Sequence, residues 1–256
     1  MEVVICQDEE QVGAVAADRV IAQLHGRQTP VLGLATGSSP LNLYAELKRR
    51  AAAGDVDFAH ALGFALDEYV GLDPKHPLSY RETILRTVVE PLGMNPDRVM
   101  VPNGFVADLA AAAEEYEEAM REAGGIDVQI LGIGSNGHIG FNEPTSSFAS
   151  RTRVKTLTQQ TRDDNARFFA EDETVPTHCV TQGLGTIMDA HNLVMVASGP
   201  AKAEIVAAMI EGPVSAMCPA SILQFHRRAF VIIDEAAAAN LQYADYFRHV
   251  AANQPA

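Results

Sequence analysis

Cysteine is scarce in this chain. Cys6, Cys179 and Cys218 are odd in number, far apart and not at metal-ligand spacing, which argues against a disulfide framework and against a zinc site. Such usage fits a reducing cytoplasm. Basic residues are outnumbered, with 19 Lys and Arg against 33 Asp and Glu in 256 residues, for a net charge of −14. That sign repels nucleic-acid phosphates and an anionic membrane surface, so neither is an expected partner. No apolar run approaches the roughly 18 residues of a membrane span. Met1–Gln7 carries Glu2 where a signal peptide would carry basic residues, so a soluble, unprocessed protein is expected. Repeats, low-complexity tracts and linkers are also missing, and the length suits one hydrophobic core, hence a single domain over residues 1–256.

Short apolar, partly β-branched runs recur at Pro30–Ala35, Leu62–Leu66, Val128–Ile133, Leu193–Ala197 and Ala229–Ile233, and read as buried strands. Between them, Glu9–Leu24, Leu41–Ala52, Arg81–Val89, Ala107–Ala123 and Ala201–Ile210 repeat apolar residues at helical spacing. This alternation predicts an α/β fold: a mostly parallel, doubly wound, Rossmann-like sheet with helices on both faces and ligands beyond the carboxyl ends of the strands. The polar segment Thr158–Val180 falls between two strand regions and predicts a mobile lid, taken as about 158–187.

Three strand-to-loop junctions carry chemistry. After the first comes LATGSSP, where Thr36, Gly37, Ser38 and Ser39 turn the chain before Pro40 opens a helix. Small residues, hydroxyls and a helix N-terminus suit a phosphate, so the acidic net charge does not exclude an anionic metabolite; a turn that only caps its helix is the alternative. The second junction ends a strand with Asp67 and Glu68, of which only one can face a given site. The third is GIGSNGHIGFNEP, Gly132–Pro144, whose glycines permit close backbone approach to a ligand. It carries His138, able to exchange protons near neutral pH, with Glu143 to orient it and Asn136 to fix its tautomer. No second His or Cys stands at ligand spacing, so no metal is expected, and no nucleophile elbow of a serine hydrolase is present.

These segments resemble the glucosamine-6-phosphate deaminase family over nearly the whole chain. The resemblance rests on LATGSSP, on Leu66–Leu72 (LDEYVGL) with His76–Tyr80 (HPLSY), on GSNGHIGFNEP and on Ser150–Thr158 (SRTRVKTLT). It extends to Asn165–Phe169 (NARFF), Lys202 and Pro219–Gln224 (PASILQ). It implies that Asp67 shuttles a proton from carbon 2 to carbon 1 of the opened sugar. It further implies that His138, helped by Glu143 and Asn136, opens the pyranose ring, and that the ketimine hydrolyses to fructose 6-phosphate and ammonium without a cofactor. By the same resemblance Thr36, Gly37, Ser38 and Ser39 with Arg167 and Lys202 hold the substrate phosphate. Some relatives have Asp where Asn136 stands, so the carboxylate partner of His138 is expected to be Glu143. Some relatives are hexamers activated by N-acetylglucosamine 6-phosphate at a site to which Ser146, Arg153 and Lys155 correspond, and others are not activated, so a homo-oligomer stays open. Galactosamine-6-phosphate deaminase and 6-phosphogluconolactonase are the alternative activities. A sugar-phosphate-sensing transcription regulator is disfavoured, since the chain has no spare length for a DNA-binding module.

Overall fold

A computed structural model describes residues 1–166, 169–170 and 173–253. Seven strands form one parallel sheet: β1 (Glu2–Cys6), β2 (Val31–Leu34), β3 (Leu62–Ala65), β5 (Val99–Met100), β6 (Val128–Leu131), β9 (Asn192–Ala197) and β10 (Ala229–Asp234). Their order is β1-β10-β9-β6-β2-β3-β5. Every residue of β2, β6 and β9 is buried, as expected of strands covered on both faces. The packing helices include α1 (Glu9–Leu24), α2 (Leu41–Ala53) and α5 (Leu109–Glu122). α1 starts where Asp8 accepts from the Gln11 N–H at 2.8 Å, and α5 where Asp108 accepts from Ala111 at 3.0 Å.

The winding of the sheet decides where a ligand can sit. From β2 the chain moves through β3 to the β5 edge, then returns to β6 on the other side of β2 and proceeds through β9 to β10. The order therefore reverses between β2 and β6, and a crevice opens beyond their carboxyl ends. The loops leaving those two strands are Ala35–Pro40 and Gly132–Ser146, the Ser/Gly turn and the His138 loop.

A second, antiparallel sheet corrects the expectation that Asp67 ends a strand of the main sheet. β4 (Asp67–Tyr69), β8 (His178–Thr181) and β7 (Arg153–Thr156) pair in the order β4-β8-β7. The changeover happens at Leu66, whose N–H donates to the Leu34 carbonyl at 3.0 Å while its own carbonyl accepts from Gln182 N–H at 2.8 Å. Asp67 thus begins β4, opposite Thr181. Its strand partner is a residue more than a hundred positions away.

The helix expected at Arg81–Val89 is α3 (Tyr80–Ile84), capped by Ser79, followed by a π turn at Leu85–Val89 and the single turn α4 (Glu90–Leu92). That expected at Ala201–Ile210 is a 3₁₀ turn, Pro200–Lys202, running into α8 (Ala203–Ile210). The range 158–187 contains α6 (Gln159–Ala166), β8 and the start of α7 (Leu184–Met188); a final helix, α9, covers Ala244–Ala252. Among the described residues no helix is long and apolar enough to cross a membrane.

Candidate active site

A cleft of about 530 Å³ lies at the β2/β6 crevice, the size that small-molecule sites occupy. One wall is the turn after β2. Gly37 has φ +90°, which only glycine adopts without strain, and Ser38 and Ser39 line the cleft beside it. The alternative reading of this turn is a cap for α2. Instead Pro40 occupies the cap position with no side-chain cap bond, and Ser38 and Ser39 line the cleft just ahead of the amino end of α2. Lys202, on the turn before α8, also lines the cleft and donates from Nζ to the Ile133 carbonyl at 2.7 Å. Arg167 lies outside the described residues.

Asp67 and His138 both line this cleft. Asp67 is 5 % exposed, and burial, reinforced by the neighbouring Glu68 charge and only partly offset by the Phe141 N–H, pushes its carboxyl up to about 8. Gly140 lets it sit there: its φ is +53°, and a Cβ at that position would stand 3.3 Å from Asp67 Oδ2. Glu68 points the other way. Its carboxylate accepts the N–H groups of Tyr69, Tyr80 and Arg81 at 2.8, 3.0 and 2.9 Å, and so fastens α3 to β4.

Around His138 the geometry revises the expected pairing. Nδ1 stands 2.7 Å from Asn136 Oδ1, whereas Glu143 Oε2 is 3.7 Å away. Asn136 Nδ2 donates to Glu143 Oε2 at 2.7 Å, which turns Oδ1 toward the ring. The carboxylate therefore acts on His138 mainly through the amide. Oδ1 can only accept, so Nδ1 carries the proton and Nε2 keeps its lone pair. Burial lowers the His138 pKa, partly offset by Glu143 and assisted by the Lys202 charge, so the ring is neutral near pH 7. For Glu143 burial works toward the acid form, but Thr161, His138, Asn136 and Thr158 together outweigh it and keep the carboxyl ionised. The cleft thus holds a carboxyl whose pKa is raised by burial toward neutral pH and an imidazole that burial keeps in its neutral, proton-accepting form.

Ser146 is buried, and its hydroxyl donates to the Glu143 carbonyl at 2.6 Å. Arg153, on β7, donates to Asn142 Oδ1 at 2.8 Å, and Lys155 follows two residues along the same face of that strand. The structure therefore places Ser146 at the end of the His138 loop and Arg153 against that loop, both outside the residues that line the cleft. Several cleft residues escaped the sequence reading, namely Tyr80, Gln160, Thr161 and Asp164. For Thr161 a signal existed, since Thr158-x-x-Thr161 at the start of a polar helix has capping spacing. Among the described residues no group of three or more His, Cys, Asp or Glu is placed to hold a metal ion.

Comparison with known proteins agrees with the geometry. Residues 7–232 match the family described as glucosamine-6-phosphate isomerases/6-phosphogluconolactonase. A protein named glucosamine-6-phosphate deaminase from Cutibacterium acnes is 59 % identical over 248 residues, 97 % of this chain and 95 % of that one. Its namesake from Mycolicibacterium smegmatis is 53 % identical over 257 residues, 100 % and 98 % of the two chains. A solved monomeric glucosamine-6-phosphate deaminase superposes with a TM-score of 0.90 at 39 % identity, covering 94 % of this chain and all of that one. The 6-phosphogluconolactonase of Leishmania guyanensis shares the fold, with a TM-score of 0.71 at 18 % identity over 93 % of this chain and 97 % of that one. A match that runs from just after β1 into β10, with more than half of the aligned positions identical to full-length relatives, settles the assignment: the chain belongs to the glucosamine-6-phosphate isomerase/6-phosphogluconolactonase family.

Proposed function

We propose that this protein is a glucosamine-6-phosphate deaminase, which converts glucosamine 6-phosphate and water to fructose 6-phosphate and ammonium. The observation that carries the reading is the meeting of Asp67 and His138 in one cleft at the sheet's switch point, with the Ser/Gly turn that leads into α2 lining the same cleft. The full-length relatives that bear this enzyme's name support it.

Neutral His138, with Nε2 unprotonated, takes the proton of the sugar's 1-hydroxyl and returns it to the ring oxygen, opening the hemiacetal. Asn136 and Glu143 hold the ring in that tautomer and stabilise the transient imidazolium. Ionised Asp67 then removes the proton from carbon 2 and delivers it to carbon 1, while a proton passes from the amine nitrogen to the carbon 1 oxygen, so that the amine-bearing carbon becomes a ketimine beside a 1-hydroxyl. Water adds to this imine and ammonia leaves. The proton needs a base of low solvation placed beside the carbon acid, and a carboxyl raised toward neutral pH by burial meets that need.

The phosphate is assigned to Thr36, Gly37, Ser38 and Ser39 with Lys202 and Arg167. Uncapped N–H groups at α2 and hydroxyls on a positive-φ turn are the supporting features. We read α6 and the residues up to about 187 as a lid over this anion, and Ser146, Arg153 and Lys155 as an effector site for an N-acetylated sugar phosphate.

Ammonia release measured side by side with glucosamine 6-phosphate and galactosamine 6-phosphate, and lactone hydrolysis with 6-phosphogluconolactone, tests the assignment. Turnover of the gluco amino sugar at least tenfold faster than the other two is expected. Faster hydrolysis of the lactone would overturn the reading. Lys202→Ala should raise KM for the sugar phosphate about tenfold, as loss of a charge-assisted hydrogen bond implies.

A further inference from the structure

The lid helix and the acid–base chain share an atom. Glu143 Oε1 accepts the Thr161 hydroxyl at 2.5 Å, and the Thr158 hydroxyl stands 3.2 Å from the same oxygen. Thr158 also accepts the Thr161 N–H at 3.2 Å, so these two residues form the first turn of α6 around the carboxylate. The other Glu143 oxygen, Oε2, is the one that accepts from Asn136. A single carboxylate therefore joins α6 on one side to Asn136 and His138 on the other.

α6 has little else to hold it at this end. It is strongly polar, and Thr161 is the one buried residue of its eight. Its Gln159–Asp163 and Gln160–Asp164 side-chain bonds run along the helix's own exposed surface and attach it to nothing. Near its far end Asn165 donates to the Tyr69 hydroxyl at 3.0 Å. Yet this helix lines the cleft with Gln160, Thr161, Asp164 and Asn165. Its seating and the orientation of Glu143 thus depend on the same buried hydrogen bond, and such a bond to an ionised acceptor is stronger than one between neutral groups.

We propose that Thr161 is a positioning residue: its hydroxyl fixes Glu143, and through Asn136 the tautomer of His138, only while α6 is seated over the cleft. Closure of the helix over bound substrate then completes the acid–base chain, and an open helix leaves Glu143 free to rotate and Asn136 free to turn away from the ring. Thr161 acts through Glu143 and need not touch the sugar. The inference rests on the proposed deaminase reading, and it assigns to that reaction a check that the cleft be covered before a proton moves.

Steady-state kinetics with glucosamine 6-phosphate and ¹⁵N-histidine NMR on the intact protein test it, using Thr161→Val and Thr161→Ser. Valine keeps the shape and removes the donor; serine keeps the donor. For Thr161→Val we expect kcat to fall about tenfold, part of the roughly 10²- to 10⁴-fold that acid–base help contributes, with KM within about twofold of wild type. The His138 signals should change from a single Nδ1–H tautomer to a mixture. Thr161→Ser should restore both within about twofold. A KM increase with kcat unchanged, or a His138 spectrum identical to wild type in the valine variant, would overturn the coupling. Absence of ammonia release by the wild-type protein would instead sink the deaminase reading, and the NMR comparison would still judge the link from Thr161 to His138.

Discussion

Asp67 and Glu68 are neighbours in the chain whose carboxylates face opposite sides of β4, and the two sides give them unrelated work. Asp67 looks into the cleft. Glu68 accepts three backbone N–H groups and holds the start of α3. Asp67→Asn should lower kcat at least about 10²-fold, since an amide cannot act as base, with folding intact and the melting midpoint not below that of wild type near neutral pH. Glu68→Ala should do the reverse: three backbone donors, of which that of Tyr69 is buried, lose their acceptor, for a loss of roughly 1 to 3 kcal/mol in denaturant unfolding. Equal kinetic losses in the two variants would contradict this division.

The raised Asp67 carboxyl has a signature in pH. Because its pKa stands at about 8 in the folded protein, the fraction able to accept a proton in the free protein grows as pH rises through that value. The acid limb of kcat/KM should therefore lie near pH 8 and not near the ordinary carboxyl range of about 4. Stability moves the opposite way. The folded state keeps the proton that the unfolded chain has already lost, so this group's contribution is complete below about pH 4 and is lost as pH rises through its folded value. The difference in unfolding free energy between wild type and Asp67→Asn should accordingly move in favour of the Asn variant as pH rises across that window. A pH-independent difference would mean that the carboxyl is not buried as described.

Asn136 predicts a separation of effects that a direct His–Glu pair would not give. Asn136→Ala leaves both His138 and Glu143 in place and removes only the amide between them, 2.7 Å from each. The imidazole then loses the acceptor that fixes its tautomer, and kcat should fall about 10²-fold with KM nearly constant. An open-chain substrate analogue should suffer much less, because it needs no ring opening. The same loss on both substrates would assign the amide to a later step.

The sequence made the central sheet legible because β2, β3, β6, β9 and β10 are apolar runs buried on both faces, and their burial is a local property of composition. β4, β7 and β8 were not legible. DEY, RVKT and HCVT carry polar residues, are three or four long, and become strands only by pairing at a distance, as Asp67 does with Thr181 and Arg153 with that same residue. The site residues were readable as types in a Gly-rich loop and at a strand end. What could not be read was the route from Glu143 to His138, since it turns on a difference between 2.7 and 3.7 Å that only the folded loop decides. Thr161 was hidden for a similar reason, as it meets Glu143 across 18 residues of chain.

Gly134 gives the strictest check on the placement of His138. Its backbone is not in the left-handed region, so alanine is no strain for the chain itself. A Cβ there would instead fall 2.1 Å from Cε1, 2.3 Å from Nε2 and 2.4 Å from Nδ1 of His138, inside the imidazole ring's own space. The loop cannot yield easily, because Gly134 N–H donates to the His138 carbonyl at 2.9 Å and Gly137 N–H donates back to the Gly134 carbonyl at 3.0 Å. The ring must therefore swing out, which breaks its bond to Asn136 while leaving the backbone ladder intact. Gly134→Ala should then reduce kcat by about 10²-fold, as if the imidazole were removed, with a stability loss under about 1 kcal/mol because only a side chain at a cleft wall moves. Gly183→Ala serves as the contrast. There the new Cβ would meet the Ser150 carbonyl oxygen at 2.0 Å, a backbone atom that cannot rotate away, so the damage should appear in the melting midpoint. If Gly134→Ala retains kcat within about twofold of wild type, the imidazole is not held against Gly134 during turnover, and the acid–base role proposed for His138 in this loop fails with it.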